Sequence, residues 1–389
     1  MAVSPAPSAQ EDRAAEGRIG VIPVRNLWLL MLYASDLFRQ GALGHVAVEA
    51  PPDEIPDLVA EFLARAVERR IRRNLSYGYV ERAEILSRLR GRVDTLRTVR
   101  HQLLRRGKVA CRFQDLTVDT ARNQLVRSAL GVAARCVGRP DVGSRCRGLS
   151  GALGAMGVSA TLPDSTALRA DQIGRHQVAD RSMVAAAELL LRLRLPTEQG
   201  GTASLARPDR EAKWVRKLFE RAVGGLYDVA LSPLGWRVSA GRHQQWRVEG
   251  KTLGIDAILP TMKTDIILEC PDPLHRIVID TKFTSLLTKG WYREQSVRSG
   301  YVYQMYAYLR SQEGREDPLA DGASGILLHP SVSQTIDETV VIQGHALRFA
   351  TVDLAAESGA IRERLMEIAW GATRSDAPRE PIAGDASDV

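Results

Sequence analysis

The feature that most constrains this chain is the stretch 262–283, MKTDIILECPDPLHRIVIDTKF, in which a segment with two prolines separates two short apolar runs. Runs rich in β-branched residues and bounded by turn residues are typical of buried strands, so the stretch predicts two neighbouring strands joined by a hairpin-like connection. Asp265 heads the first strand, Asp280 lies near the end of the second, and Lys282 follows two residues later. Because side chains at i and i+2 share one face of a strand, we expect Asp280 and Lys282 to point the same way.

These charges indicate a chemical role. Charged side chains on a buried strand are unfavourable unless they are paired or bind something. Two carboxylates and a lysine at a sheet edge suit a hard divalent cation, which takes oxygen ligands and retains waters, and such a cation can activate water for attack on a phosphodiester. The alternative, from the motif alone, is a surface hairpin with an ordinary Asp–Lys ion pair.

The spacing of Asp265, Asp280 and Lys282 resembles the D…(D/E)-x-K pattern of the PD-(D/E)xK nuclease superfamily. The elements predicted around it, a helix, strands, the acidic hairpin, a helix and a strand, follow the order of that superfamily's core. The resemblance implies an α/β fold with a mixed central sheet flanked by helices.

Two helices carry further matches to this superfamily. Gln304 and Tyr308 stand at i and i+4 on a helix predicted over 300–309, hence on one face, and resemble the QxxxY element of the RecB-like branch. Glu220, on an amphipathic helix predicted from residue 211, matches the acid that these folds often carry on their first core helix. The alternatives are an ordinary half-buried helix face for the first pair and a solvated charge for Glu220.

The length of 389 residues is enough for two domains, and 44% hydrophobic with 25% charged residues is typical of a soluble globular protein. No apolar run is long enough to span a bilayer, and four cysteines without a CxxC pair fit a reducing cytoplasm. The pattern along the chain predicts a disordered tail over 1–17, an N-terminal α+β domain over 18–198, a linker over 199–210, an endonuclease-like domain over 211–372 and a disordered tail over 373–389.

The net charge of +7 permits nucleic-acid binding without proving it. Arginine is crowded between residues 65 and 112, either as solvated helix faces or as a surface that contacts phosphates or a partner.

Two further segments give secondary-structure predictions. Glycine and arginine over 138–150 predict a loop, and Trp246-Arg247-Val248 has the character of a strand.

Two N-terminal stretches extend the resemblance. IPVRNLWLLMLYASD, from Ile22, resembles the opening of the McrC family, the nuclease subunit of the McrBC modification-dependent restriction system. LTVDTARNQLVRSAL also resembles a segment of that family, with Asp119 and Asn123 in the matching places. The nuclease signature of the family is met by Thr264-Asp265, Asp280-Thr281-Lys282 and Tyr303-Gln304.

The combined pattern leads to a hypothesis for each site residue of a magnesium-dependent endodeoxyribonuclease. Asp265 and Asp280, with the backbone carbonyl of Thr281, are expected to ligate Mg²⁺ or Mn²⁺, and Glu220 to complete the shell through water. Lys282 is expected to orient or help deprotonate the attacking water. Gln304 and Tyr308 are expected to position either the DNA backbone or this lysine.

The resemblance also implies partners. The N-terminal domain would dock on a hexameric McrB-like AAA+ GTPase that recognises double-stranded DNA with modified cytosine. The sequence has no G-x-x-x-x-G-K-[ST] loop, so GTP is expected on the partner. Three other readings are a stand-alone RecB-like repair nuclease, a catalytically inactive partner-binding subunit and a basic DNA-binding scaffold.

Overall fold

The computed structural model describes residues 18–19, 22–43, 51–171, 178–199, 208–284, 286–288, 296–315, 317–331 and 335–372. The helices, in chain order, are α1 (Val24–Tyr33), α2 (Asp36–Arg39), α3 (Ile55–Arg72), α4 (Thr95–Arg100), α5 (Ala121–Cys136), α6 (Pro140–Ala155), α7 (Ser165–Ala170), α8 (Val178–Gln199), α9 (Pro208–Leu231), α10 (Ser299–Arg310), α11 (Pro318–Asp321) and α12 (Ser358–Gly371). The strands are β1 (Arg18–Ile19), β2 (Ile22–Pro23), β3 (Gly78–Leu86), β4 (Arg92–Val93), β5 (Val109–Thr117), β6 (Arg237–Ala240), β7 (His243–Gln244), β8 (Met262–Lys263), β9 (Ile266–Pro271), β10 (Leu274–Thr281), β11 (Leu287–Thr288), β12 (Ser296–Val297), β13 (Ser324–Ser331), β14 (Asp337–Ile342) and β15 (His345–Asp353).

The chain forms two compact units whose boundaries differ from the expected domains 18–198 and 211–372. One unit combines Met1–Asp53 with Pro196–Val389, and the other is Glu54–Leu195. The difference arises because α1, buried along almost its whole length, packs on α9 and so belongs with the C-terminal part of the chain. The linker expected over 199–210 overlaps two helices, since α8 ends at residue 199 and α9 begins at residue 208. Residues 200–207 between them, and both expected tails, lie outside the described residues.

The first unit is built on the mixed sheet that the sequence predicts. Its strand order is β14-β15-β13-β10-β9-β6, with β10, β13 and β15 parallel and the other neighbours antiparallel. Helix α10 connects β10 to β13 and packs on one face through Met305 and Leu309 against Val278 and Leu327. Helix α9 approaches the face that carries Ile266. The fold is mixed α/β, and the β-branched runs form the adjacent interior strands β9 and β10.

Helix α1 is fixed to this unit by polar contacts and by close packing. Asn26 Nδ2 donates hydrogen bonds to the carbonyl oxygens of Leu354 at 2.7 Å and Ala356 at 3.0 Å, just beyond β15. At the crossing with α9, a Cβ placed on Gly225 would lie 2.0 Å from the Tyr33 carbonyl oxygen. The two backbones therefore approach so closely that only glycine fits at residue 225.

The second unit is mainly helical and contains a buried polar network. Arg122 is 5% exposed and forms a forked ion pair with Asp171, while Arg70 Nε lies 3.1 Å from buried Asp180. Asn123 Nδ2 donates to the Ser76 carbonyl oxygen at 3.0 Å. The stretch that resembles the McrC family is therefore tied into the interior of this unit.

The prediction of a loop over 138–150 is wrong, because helix α6 begins at Pro140. Proline is favoured in the first helical turn, and Asp141 adds a favourable negative charge there. Val142, Cys146 and Leu153 then recur at helical spacing and are buried, so apolar burial outweighs the low helix propensity of the glycines.

Part of the arginine-rich segment forms a small sheet that is largely exposed, while its first arginines, including Arg69 and Arg70, lie in helix α3. Its strand order is β3-β5-β4, and β3 is exposed over most of its length. Several arginines are paired on its surface: Arg82 and Arg90 with Asp115, and Arg112 with Asp94. Large apolar side chains around this sheet are exposed as well, among them Tyr79, Leu89, Leu96 and Leu104. We call this region the arginine-rich sheet.

Two further points concern the rest of the chain. Residues 246–248, expected as a strand, have no regular structure; Trp246 instead donates its indole N–H to the Pro260 carbonyl oxygen at 2.7 Å, as part of an irregular segment. Among the helices that the structure describes, none combines the length and apolar character needed to cross a bilayer.

The close approach of α1 and α9 gives a stability prediction with a built-in control. Gly225→Ala is expected to lower the free energy of unfolding by about 1–3 kcal/mol, because the new methyl group overpacks the crossing. Gly224→Ala places its Cβ in ordinary contact, 3.6 Å from Ile266 Cγ1, and gains about 1 kcal/mol of helix propensity. Chemical unfolding of both variants measures the difference; equal stability of the two would contradict the close approach.

Candidate active site

The candidate site lies where β9 begins and β10 ends. In the antiparallel register Ile266 pairs with Ile279, so Asp265 and Asp280 occupy the next pair of positions. Asp265 Oδ2 accepts hydrogen bonds from the Thr281 amide N at 2.7 Å and from Thr281 Oγ1 at 2.8 Å. The first carboxylate is thereby fixed to the backbone of the strand that carries the second.

Asp280 and Lys282 are buried together at the end of β10. Asp280 is 1% exposed and Lys282 5%, and Lys282 Nζ lies 2.6 Å from Asp280 Oδ2. The expectation that these two side chains point the same way is confirmed, and the alternative of an ordinary surface ion pair is wrong. Burying two charges is unfavourable by several kcal/mol per ion unless their attraction and further polar contacts compensate.

The lysine is held by a chain of hydrogen bonds from helix α10. Lys282 Nζ donates to Gln304 Oε1 at 2.9 Å, and Gln304 Nε2 donates to Tyr308 Oη at 2.6 Å. Tyr308 Oη in turn donates to the Lys263 carbonyl oxygen at 2.8 Å. The helix face that carries Gln304 and Tyr308 is therefore directed at the lysine, one of the two arrangements expected from the sequence.

Glu220 approaches the same site from helix α9. It is half-buried, and burial raises the pKa of its carboxyl group, with the negative charges of Asp265 and Asp280 acting in the same direction. Lys263 and Arg216 lower this pKa in opposition. The carboxylates of Asp265 and Asp280 therefore act electrostatically on Glu220. Among the contacts that the structure describes, Glu220 shares no hydrogen bond with either of them.

The buried carboxyl group of Asp280 has an unusually high affinity for a proton. Burial raises the pKa of Asp280 to about 6, Lys282 opposes this shift and the charge of Asp265 adds to it. A carboxylate that its lysine partner neutralises only in part is a favourable position for additional positive charge.

The donors present fit a hard divalent cation. Asp265, Asp280, Glu220 and the carbonyl oxygen of Thr281 offer oxygen atoms only, and the pKa of Asp280, which burial raises to about 6, shows that its carboxylate is poorly solvated. Across the described ranges, no three His, Cys, Asp or Glu side chains come close enough to form a ligand cluster. The arrangement thus suits a cation held by two carboxylates and several waters, as Mg²⁺ commonly is, rather than a closed cage of protein ligands.

Two side chains near the lysine were not identified from the sequence. The Tyr301 ring lies beneath Lys282 Nζ, which is 5.0 Å from the ring centroid, and the His329 ring centroid lies 5.8 Å from that of Tyr301. Tyr301 precedes Gln304 by three residues, so helical periodicity alone places it on the same face. His329 comes from β13, and no local pattern indicates that it lies here.

Known proteins give an independent comparison. The type IV methyl-directed restriction enzyme EcoKMcrBC of Escherichia coli (strain K12) is 21% identical over 350 residues, which cover 90% of this chain and 97% of that relative. Two solved structures from Thermococcus gammatolerans are also similar. One is a half-complex from a tetradecameric assembly of McrB AAA+ hexamers with bound McrC, with a TM-score of 0.42, 15% identity and coverage of 93% of this chain and 78% of that chain.

The other structure is the McrBC complex of the same organism, with a TM-score of 0.30 and 16% identity over 48% of this chain and 60% of that chain. The family model for McrBC 5-methylcytosine restriction system components matches residues 2–320, which is most of the sequence and includes Asp265, Asp280, Lys282 and Gln304. On that match, the chain belongs to the family of McrBC 5-methylcytosine restriction system components.

Proposed function

We propose that this chain is the endonuclease subunit of a McrBC-like, modification-dependent type IV restriction system, and that it hydrolyses DNA phosphodiesters with Mg²⁺ or Mn²⁺. The observation that supports this most directly is the convergence of Asp265, Asp280 and Lys282 at the ends of two central strands. Membership of the McrBC family supports the same proposal.

Each residue has a role in the proposed reaction. Asp265, Asp280 and the carbonyl oxygen of Thr281 would hold the cation, and Glu220 would contribute to its binding through water. When bound, such a cation polarises the phosphoryl oxygen and lowers the pKa of water. Lys282 orients the attacking water and stabilises the negative charge that develops on the phosphate.

Gln304 and Tyr308 act on the lysine rather than on the substrate. Gln304 accepts a hydrogen bond from Lys282 Nζ at 2.9 Å, and Tyr308 fixes the Gln304 amide from the other side. Because the carbonyl oxygen of Gln304 is thereby turned toward the amino group of Lys282, the lysine is held in one position relative to the reacting phosphate. This supports the second of the two roles expected for the QxxxY pair.

The proposed partner is a hexameric McrB-like AAA+ GTPase, which binds GTP and recognises modified cytosine in double-stranded DNA. Solved relatives pair McrC with McrB AAA+ hexamers. The arginine-rich sheet is the surface of this chain best suited to such a partner, since exposed apolar side chains such as Leu96 (86% exposed) alternate with arginines there. Aromatic, apolar and arginine side chains together are typical of protein interfaces.

The proposed activity is tested by cleavage of methylated and unmethylated plasmids in Mg²⁺. The reaction is run with the chain alone and then with the McrB-like AAA+ partner and GTP. We expect cleavage only of methylated DNA, with both partner and GTP present. Asp280→Asn is expected to reduce it by at least about 100-fold while stimulation of the partner's GTP hydrolysis persists. Asp256→Asn, at an exposed aspartate of the same unit, is the control.

Two outcomes would count against this proposal. Cleavage by the chain alone, without nucleotide, would favour a stand-alone RecB-like nuclease. Full cleavage by Asp280→Asn would remove the assigned site.

The raised pKa of Asp280 predicts that lowering the pH has opposite effects on two quantities: the stability of the protein without a cation, and the additional stability that Mg²⁺ gives. In EDTA, the folded state binds a proton at Asp280 more tightly than the unfolded state, so this residue's contribution to stability increases as pH falls through about 6. The gain in melting temperature from Mg²⁺ is expected to shrink over the same pH range, because protons compete for the ligand. Thermal unfolding from pH 5 to 8, with Asp280→Asn as the flat control, measures both trends; a Mg²⁺ gain independent of pH would contradict them.

Docking through the arginine-rich sheet predicts a separation of activities. Leu96→Asp is expected to weaken binding of the AAA+ partner by about tenfold or more, because a charge replaces a buried apolar contact at the interface. Leu253→Asp, at an exposed leucine of the other unit, is the matched control. Affinity measured by biolayer interferometry, with GTP hydrolysis as a second readout, distinguishes them; equal binding by both variants would exclude this surface.

A further inference from the structure

An aromatic ring lies against the buried lysine of the candidate site. Tyr301 stands in the first turn of α10, and Lys282 Nζ lies over its ring, 5.0 Å from the centroid. A cation within about 6 Å of a ring centroid is attracted by the negative face of the ring. The attraction is stronger when the cation is shielded from water, and Lys282 is only 5% exposed.

The ring is a further contact of the ammonium group, beside its two polar partners. Asp280 approaches Nζ from the same strand, 2.6 Å away, and Gln304 approaches it from the helix at 2.9 Å. Both of these partners are polar. The ring of Tyr301 adds an aromatic face beside the ammonium group, which further restricts the positions that the group can take.

We propose that Tyr301 is a positioning residue for the Lys282 ammonium group, which it holds through its aromatic face so that the lysine meets the scissile phosphate in one orientation. The inference rests on the proposed nuclease function for its consequence in catalysis. The contact between ring and ammonium group stands independently of that function.

The ring is itself fixed by its surroundings. Its plane is tilted by 48° to the ring of His329, 5.8 Å away, and Tyr301 Oη lies 3.3 Å from Thr284 Oγ1. His329 is wholly buried, and its Nδ1 donates to the Thr284 carbonyl oxygen at 2.8 Å. Strand β13 therefore supports the ring from one side while the segment after Lys282 contacts its hydroxyl group.

The charge state of His329 suits this arrangement. Burial lowers the pKa of His329 to about 4, so its imidazole is neutral near physiological pH. A neutral ring can pack against Tyr301 without placing a second positive charge beside Lys282. Arg298 is a further cation near the same ring, but its Cζ is 5.9 Å from the centroid, at the outer limit of a cation–π contact.

Replacing the ring tests the proposal, because phenylalanine keeps the aromatic face and leucine removes it. In the complete system with partner, GTP and Mg²⁺, Tyr301→Leu is expected to lower the single-turnover cleavage rate by about tenfold. Tyr301→Phe, which loses only the contact with Thr284, is expected to stay within about threefold of the natural chain. Tyr306→Leu on the same helix is the control, since Tyr306 contacts Gln343 instead.

A spectroscopic measurement on the full chain alone separates positioning from general damage. With isotope-labelled lysine, the ε-methylene protons of Lys282 are assigned by comparison with Lys282→Gln. Because ring currents shift protons above an aromatic face upfield, the Lys282 signal is expected upfield in the natural chain and in Tyr301→Phe. It is expected at an ordinary lysine position in Tyr301→Leu.

The combined outcomes decide between explanations. An unmoved Lys282 signal in Tyr301→Leu would overturn the proposal, whether or not cleavage falls. Equal loss of cleavage in Tyr301→Phe and Tyr301→Leu would overturn it as well, because the hydroxyl group would then be the important part. If the signals behave as expected but Lys282→Gln cleaves normally, the contact exists and the proposed role of the lysine in hydrolysis is what fails.

Discussion

The buried ion pair between Asp280 and Lys282 is the interaction on which the rest of the site depends. Neither charge could lie at the end of a central strand without the other, because a single buried charge is far more unfavourable than a pair. The lysine compensates only in part for the burial of the Asp280 carboxylate, since the pKa of Asp280 remains raised to about 6. A buried carboxyl group whose pKa stays raised beside its lysine partner is typical of a functional centre rather than of a purely structural pair.

The hydrogen bonds of helix α10 connect the two halves of this centre. They run from Lys282 through Gln304 and Tyr308 to the carbonyl oxygen of Lys263, two residues before Asp265. The helix therefore fixes the lysine at the end of one strand relative to the carboxylate at the start of its neighbour. Asp265 adds a second connection by accepting hydrogen bonds from Thr281. A shift of either strand end would break one of these links.

Local patterns in the sequence were sufficient for the parts of the site that depend on strand and helix periodicity. Asp280 and Lys282 share a face because they are two residues apart on a strand, and Gln304 and Tyr308 do so because they are four apart on a helix. Tyr301 follows from the same periodicity and could have been found. His329 could not, since it reaches the site only through the parallel pairing of β13 with β10.

The fold was less predictable where several packing partners compete. A largely apolar helix such as α1 must be buried, but its sequence does not indicate which part of the chain it packs against. The close contact between this helix and Gly225 is likewise evident only from the structure. In α6, glycines indicated a loop, yet the start at Pro140 and the buried face around Cys146 produced a helix. Composition was misleading there because burial contributes more free energy than local propensity.

The distribution of charge gives the proposed reaction its main physical requirement. The chain carries a net charge of +7, but at its candidate centre the charges of Asp265 and Asp280 act on the carboxyl group of Glu220, and buried Lys282 is paired with Asp280. A DNA phosphate approaching these carboxylates alone would be repelled, and Lys282 is already paired with Asp280. In the proposed reaction a divalent cation would supply the positive charge that this approach requires. On this view the burial that raises the pKa of Asp280 to about 6 also favours a cation, because a proton and a cation both reduce the unfavourable energy of a buried carboxylate.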